Sequence, residues 1–190
     1  MTNLTITEIP GYLAGSWTVD PVHSDVSFIV RHMMVSKLRG HFERFSGQIV
    51  TGGDPLESTV TATVDAASLN TNNAQRDDHI RSADFLEVDQ YPTLEFRSTS
   101  LRAEGADEYA LEGDLTVHGV TRPVTFELEL NGFTADPFGG YRTGFSATTD
   151  ISRSDFGVSI NLPMEGGGVV VADKIQIRLE IEAVLDTPAS

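Results

Sequence analysis

Leu94-Glu95-Phe96-Arg97 opens a stretch, running to Leu130, in which apolar and polar residues alternate almost without error. Tyr109, Leu111, Gly113, Leu115 and Val117 alternate with Ala110, Glu112, Asp114 and Thr116. After His118-Gly119, Val124, Phe126, Leu128 and Leu130 alternate with Thr125, Glu127 and Glu129. A period of two sends alternate side chains to opposite faces of a strand. Three consecutive strands therefore each carry one apolar and one charged face. An antiparallel sheet with one wet face must hide the other, by closing on itself or by stacking on a second layer.

The same pattern extends outward in both directions. Trp17 and Val19 begin a first strand, and Pro21 to Ser24 is turn chemistry. Asp25 to His32 reads as a second strand with Val26, Phe28, Val30 and His32 on one face; Ile29 breaks the alternation and leaves the inward face open. Ser36 to Arg39 forms a third. Phe42, Phe45 and Ile49 carry a further segment, in which Gly47 is expected to mark a bulge or bend. Val60, Ala62 and Val64 alternate with threonines in the next strand. Ala74 to Ala83 is the one good helix, and it is short. Downstream, Thr134 to Gly140 is a loop. Arg142 to Ile151 is a strand with Phe145, Ala147, Thr149 and Ile151 on one face. Asn161 to Gly168 is a Gly-rich loop, and Lys174 to Glu182 is a regular last strand with Ile175, Ile177, Leu179 and Ile181 on one face. The expectation is an all-β protein of about eight antiparallel strands with a short helix. Closure removes edges, which favours an up-and-down barrel over a sandwich. Residues 1–14 read as a flexible arm preceding a single domain over residues 15–186.

Composition narrows the function classes. The 190-residue chain has no cysteine, so it can hold no disulfide, thiolate ligand or thiol nucleophile. Its net charge of −15 repels nucleic acid and anionic lipid headgroups, so a peripheral role on either polymer or bilayer is not expected, nor a nucleic-acid partner, nor stable membrane insertion. Met1 to Gly11 contains neither a basic residue nor a long apolar run, unlike a secretory leader. No segment approaches the roughly 18 apolar residues of a membrane span. A cytoplasmic protein is expected.

Motifs that could carry chemistry are few. His23, His32, His41, His79 and His118 lack the close spacing of a metal site, so no metal and no cofactor is expected. Asp155-Phe156-Gly157 matches a kinase triplet without its companion motifs, and Gly166-Gly167-Gly168 lacks the ending of a phosphate loop. No G-x-S-x-G elbow is present. On the helix, Arg76-Asp77-Asp78-His79-Ile80-Arg81 offers an acid, a base and cations. Its plain structural reading is an Asp77–Arg81 i,i+4 pair on a solvated face. Its functional reading places Arg76 and His79 at a polar gate.

One ordered set of residues is specific. It runs Trp17-Thr18-Val19-Asp20, His23-Ser24, Phe28, Val30, His32, Gly40, Phe42 and Arg76-Asp77-Asp78-His79. It continues with Asp84-Phe85, Tyr91-Pro92-Thr93, Gly113 to Thr121 with Pro123-Val124, then Arg153 and Asp155-Phe156-Gly157. In this order, from Trp17 to Val184, the chain resembles the YceI-like family of polyisoprenoid-binding proteins. The resemblance implies a lipocalin-like extended antiparallel barrel around a long apolar pore that holds a polyisoprenoid or fatty-chain lipid, and it makes a homodimer plausible. The inward faces then supply the lining: Phe28, Val30, Phe42, Phe45, Leu94, Phe96, Leu115, Val117, Phe126, Leu128, Phe145, Ile175 and Ile177, with Arg76 and His79 at the mouth. No catalytic residue is assigned. Two rivals stay open on the residues alone: an isoprenoid-modifying enzyme using His79, Asp77 or His32, and a barrel whose interior its own side chains fill.

Overall fold

A computed structural model describes residues 9–162 and 170–186. The strands are β1 (Gly15–Val19), β2 (Asp25–His32), β3 (Ser36–Phe42), β4 (Phe45–Thr51), β5 (Thr59–Asp65) and β6 (Leu69–Asn70), followed by β7 (Thr93–Ala103), β8 (Glu108–Val117), β9 (Val120–Ala135), β10 (Tyr141–Ser152) and β11 (Val171–Leu185). One helix, α1 (Ala74–Arg81), interrupts them. All pairings are antiparallel, in the order β1-β4-β5-β7-β8-β9-β10-β11, and β1 returns to β11 to close the ring. The sheet is a barrel, and the sandwich alternative falls.

Several staves of this barrel are broken. β1 pairs with the Ala183–Leu185 end of β11, and β2 continues along the same edge from Glu180 to Ile175. β4 lies beside β1, and β3 beside β2. The chain thus makes one long stave twice with a turn in the middle, so that pairs of short strands span the length of the long strand β11. The break between β3 and β4 falls at Glu43-Arg44, because β3 runs through Gly40 to Phe42. Gly40 is where the Phe28 ring crosses the neighbouring strand: a Cβ there would overlap the ring. Gly47 is not a bulge. Its register runs unbroken from Ser46–Thr63 to Gln48–Thr61, and the missing side chain instead admits Val19. A real irregularity lies between Gly144 and Phe145, where Asn131 on β9 has no partner and Gly132 and Leu130 flank it. That extra residue resets the alternation, so Phe133 turns onto Trp17 with ring centroids 5.5 Å apart.

One end of the barrel is plugged. Trp17 is fully buried in a cluster with Ile49 and Ala183, and its indole N–H donates to Thr51 Oγ1 at 2.9 Å. Of the expected arm, residues 1–8 lie outside the described residues. The following residues 9–14 are tied down across this end. Tyr12 donates to the Gly52 carbonyl at 2.8 Å and packs edge-on against Phe133, and Thr51 Oγ1 donates to the Leu13 carbonyl. Most of the Gly-rich loop, residues 163–168, also lies outside the described residues. Among the described residues, no helix is long and apolar enough to cross a membrane.

Candidate functional site

Away from the plugged end the barrel is hollow, with a cavity of about 770 Å³. That lies inside the range of roughly 300–1,000 Å³ typical of small-molecule sites. The strand pattern explains the lining. β2 turns Val26, Phe28 and Val30 inward, which settles the face that Ile29 obscured. β5 contributes Val60, Ala62 and Val64, and β11 contributes Ile175, Ile177, Leu179 and Ile181. These inward side chains keep accessible surface. Phe28, Phe45, Leu94, Phe96, Phe145 and Ile177 are all only half-buried although they point away from bulk solvent. Apolar groups in a filled core would be sealed against one another. The filled-interior rival is therefore overturned.

Each residue expected in the lining borders the cavity except Leu128. Leu128 shares the inward face, but it packs sideways onto the cluster of Leu111, Phe126 and Ala147. Arg76 and His79 both border the cavity, beside the exposed Asn73 and Gln75. Asn73 caps α1 by accepting from the Arg76 N–H at 3.0 Å. The Arg76 guanidinium is laid along Thr71, donating to its hydroxyl at 2.8 Å and its carbonyl at 2.7 Å. His79 Nε2 lies 2.9 Å from an Asp84 carboxylate oxygen, and the ring stands edge-on to Phe85. Residues just beyond the helix, Phe85 and Leu86, complete this rim.

The expected Asp77–Arg81 pair does not form. Asp77 is buried and accepts from the Thr71 N–H and hydroxyl, while Arg81 meets Asp78 at 3.2 Å and donates to the Ala67 and Leu69 carbonyls. Arg81 thus pins the helix to Ala67 and to β6, and Asp77 pins it to Thr71 just after β6. Of the three alternatives for acid–base chemistry, Asp77 does not border the cavity, whereas His32 and His79 do.

Sequence reasoning gave no role to Arg153, which is 4% exposed and also borders the cavity. Its guanidinium donates to the carbonyls of Ala172, Val158 and Val171 and to Asn161 Oδ1, at 2.7 to 3.1 Å. It thereby stitches the segment after the Arg153–Phe156 turn to the start of β11. Phe156, Val158 and Leu162 of that segment line the same cavity.

A charged knot lies elsewhere on the barrel. Arg142 reaches Asp136 at 2.6 Å and both Asp20 and Glu182 at 2.9 Å, and His23 lies 2.7 Å from Asp20. Asp20, His23 and Glu182 stand close enough to share a cation, and the Arg142 guanidinium already supplies one. The His23 and Arg142 hydrogen bonds lower the Asp20 carboxyl to about 2, and the Asp20 hydrogen bond raises His23 above its ordinary 6.5. Asp20 therefore contributes stability that is complete above its ordinary 3.8 and is lost as pH falls through about 2. His23 contributes stability that is complete below 6.5 and is lost as pH rises through its raised folded value. The knot is strongest between those limits. The melting advantage of the wild type over His23→Gln should be larger near roughly pH 5.5 than near roughly pH 9. Equal differences at the two pH values would refute the assignment.

An antiparallel barrel closed around an apolar cavity, plugged at one end and rimmed with polar side chains elsewhere, defines a lipocalin-like binding architecture. The chain belongs to the YceI-like family: the YceI-like domain model matches residues 17–183. A UPF0312 protein of Vibrio cholerae is 38% identical over 152 residues, covering 77% of this chain and 79% of the relative. A UPF0312 protein of Ectopseudomonas mendocina is 37% identical over 175 residues, covering 90% and 88%. Among solved structures, BcnA of Burkholderia cenocepacia matches with a TM-score of 0.76 at 24% identity, over 86% of this chain and 98% of that one. A polyisoprenoid-binding domain from Saccharophagus degradans matches with a TM-score of 0.70 at 16% identity, over 92% and 100%. At such identities the likeness to these two structures is one of fold.

Proposed function

We propose that this protein binds and carries one long apolar chain, a polyisoprenoid or a similar amphiphile, inside the barrel, without chemical change to it. The observation that carries the reading is the half-buried state of the inward phenylalanines and isoleucines around a cavity of about 770 Å³. Such a surface is stabilised by an occupant that removes it from water. Each buried methylene contributes about 0.8 kcal/mol, so a dozen contribute about 10. Ordering a flexible chain offsets a large part of that. The description of the Saccharophagus degradans domain as polyisoprenoid-binding supports the ligand class. Arg76 and His79 would meet the head of the amphiphile while the tail lies along β2, β5 and β11. Selection among similar tails is weak, since one methylene discriminates only about 10- to 200-fold.

Denaturing extraction of the purified protein followed by mass spectrometry tests the reading. The expected result is a co-purified lipid with a long apolar tail, near one per chain. A clean extract, combined with no uptake of long-chain isoprenoid alcohols by the emptied protein, would overturn it. Turnover of an offered isoprenoid diphosphate would replace the carrier with an enzyme.

A further inference from the structure

The β2–β3 hairpin departs from the rest of this acidic surface. Between Val26 and Phe42 the chain has no Asp or Glu, yet it carries Arg31, Lys37 and Arg39. All three are exposed, and none is in an ion pair among the described residues. Arg31 and Lys37 stand directly opposite each other across the ladder, where like charges repel. Ile29 faces Arg39 one step further along the same outer face. On the adjoining strand β11, Arg178 lies opposite Ser27 and is also exposed.

The tip of the hairpin is apolar. Met33, Met34 and Val35 are 41%, 55% and 85% exposed. The Val35 N–H donates to the His32 carbonyl at 3.2 Å, closing a turn whose central residues Met33 and Met34 have φ of 51° and 62°. Asn and Gly ordinarily take those positions. Three features thus coincide at one tip: apolar side chains in water, a left-handed backbone at two methionines, and facing like charges. Each is unfavourable for the chain alone.

We infer that the β2–β3 hairpin docks this protein on an anionic lipid bilayer, with Met33, Met34 and Val35 entering the headgroup–acyl boundary and Arg31, Lys37 and Arg39 meeting lipid phosphates. A bilayer fits better than nucleic acid, because only the bilayer offers an apolar phase to the tip. The net charge of −15 does not forbid it. At physiological salt the Debye length is about 8 Å, so charges on the far side of the barrel are screened from the contact. The placement is also purposeful. His32 and Leu38, on the two strands beside the tip, border the cavity, as does Val171, which pairs with His32. A hairpin seated in a leaflet brings the barrel wall and its hollow to the lipid phase. The inference concerns the outer face and goes beyond the carrier reading.

Flotation of the full chain with vesicles tests it. Vesicles of phosphatidylcholine with roughly a third phosphatidylglycerol should carry the protein upward at physiological salt, and pure phosphatidylcholine vesicles should carry at least tenfold less. Raising the salt should release it. Each cation near such a surface contributes about fivefold, so Arg31→Gln, Lys37→Gln and Arg39→Gln together should weaken binding about 100-fold. Met34→Ser with Val35→Ser should weaken it with little change in salt dependence. Circular dichroism and the lipid extracted from the cavity are measured on the same variants. Loss of flotation with cavity lipid retained supports docking by the hairpin. Absence of wild-type flotation on anionic vesicles, or equal flotation by the triple variant, overturns it. An empty cavity in a protein that still floats counts against the carrier reading alone.

Discussion

Replacing Ala62 with tryptophan should abolish lipid uptake while leaving the barrel folded. Ala62 sits in the middle of β5, between Gly47 on β4 and Phe96 on β7, and its methyl group faces the cavity. An indole there fills space that a tail would occupy, and it buries its own apolar surface against the half-exposed lining. Lost occupancy should appear as at least 100-fold weaker binding of a long-chain isoprenoid. Stability should change by no more than about 1–3 kcal/mol, the range for an imperfectly fitted core enlargement. The wild type supplies the contrast. A ligand held at about 100 times its Kd stabilises by about 2.7 kcal/mol. At about 2–4 °C per kcal/mol for a domain of this size, its Tm should rise by roughly 5–11 °C on adding lipid. Ala62→Trp should show no such rise. Val64→Trp, two residues along the same inward face, guards against a local misfit at residue 62. If both variants fold and still extract with a full complement of lipid, the cavity is not the binding site.

Alternation reveals the wall of this barrel, while its closure is favoured only by the cost of open edges and by the family resemblance, since periodicity alone also fits a sandwich. Alternation in β8, β9 and β11 is a local property, so it survives in the sequence. Ring closure is not local: it rests on β1 meeting the last three paired residues of β11, across more than 160 positions of chain. The broken staves were legible as separate strands, but nothing local says that β1 and β2 share one edge. Periodicity also assigns a face without assigning depth. Leu128 points inward like Phe126, yet it packs onto the cluster of Leu111, Phe126 and Ala147 without bordering the hollow, whereas Val60 and Val64 line it with no stronger periodic signal. Asp77 misled because the i,i+4 rule treats a helix in isolation. Thr71, outside the helix, offers two donors to that carboxylate and turns it inward. Arg153 left no periodic trace at all. Its partners are three backbone carbonyls and an asparagine oxygen, and backbone acceptors carry no sequence signature.

Arg153→Met should therefore produce the largest loss of stability of any exchange considered, and the loss should report on the cavity. The methionine matches much of the buried volume, so a packing defect is not the main effect. What disappears is a set of charge-assisted bonds to Ala172, Val158, Val171 and Asn161, which takes the guanidinium from the buried Val158 carbonyl and from the part-buried carbonyls of Ala172 and Val171. A hydrogen bond to a charged group contributes about 1.5–3 kcal/mol, and one buried unpaired acceptor costs about 1–3. Bonds that act as a unit do not add, so the expected destabilisation is about 3–5 kcal/mol, or roughly 6–20 °C in Tm. Arg153→Lys should recover only part of it, because an ammonium cannot span acceptors spread around a planar guanidinium. The segment released by the exchange carries Phe156, Val158 and Leu162, all of which border the cavity. Lipid should consequently leave Arg153→Met faster than it leaves the wild type, even at temperatures where the variant is fully folded. Thermal melts paired with transfer of a fluorescent isoprenoid to acceptor vesicles measure both effects. A variant that melts like the wild type would show that the carbonyl cluster is satisfied without the guanidinium. A less stable variant with an unchanged release rate would separate the stitch from the cavity it borders.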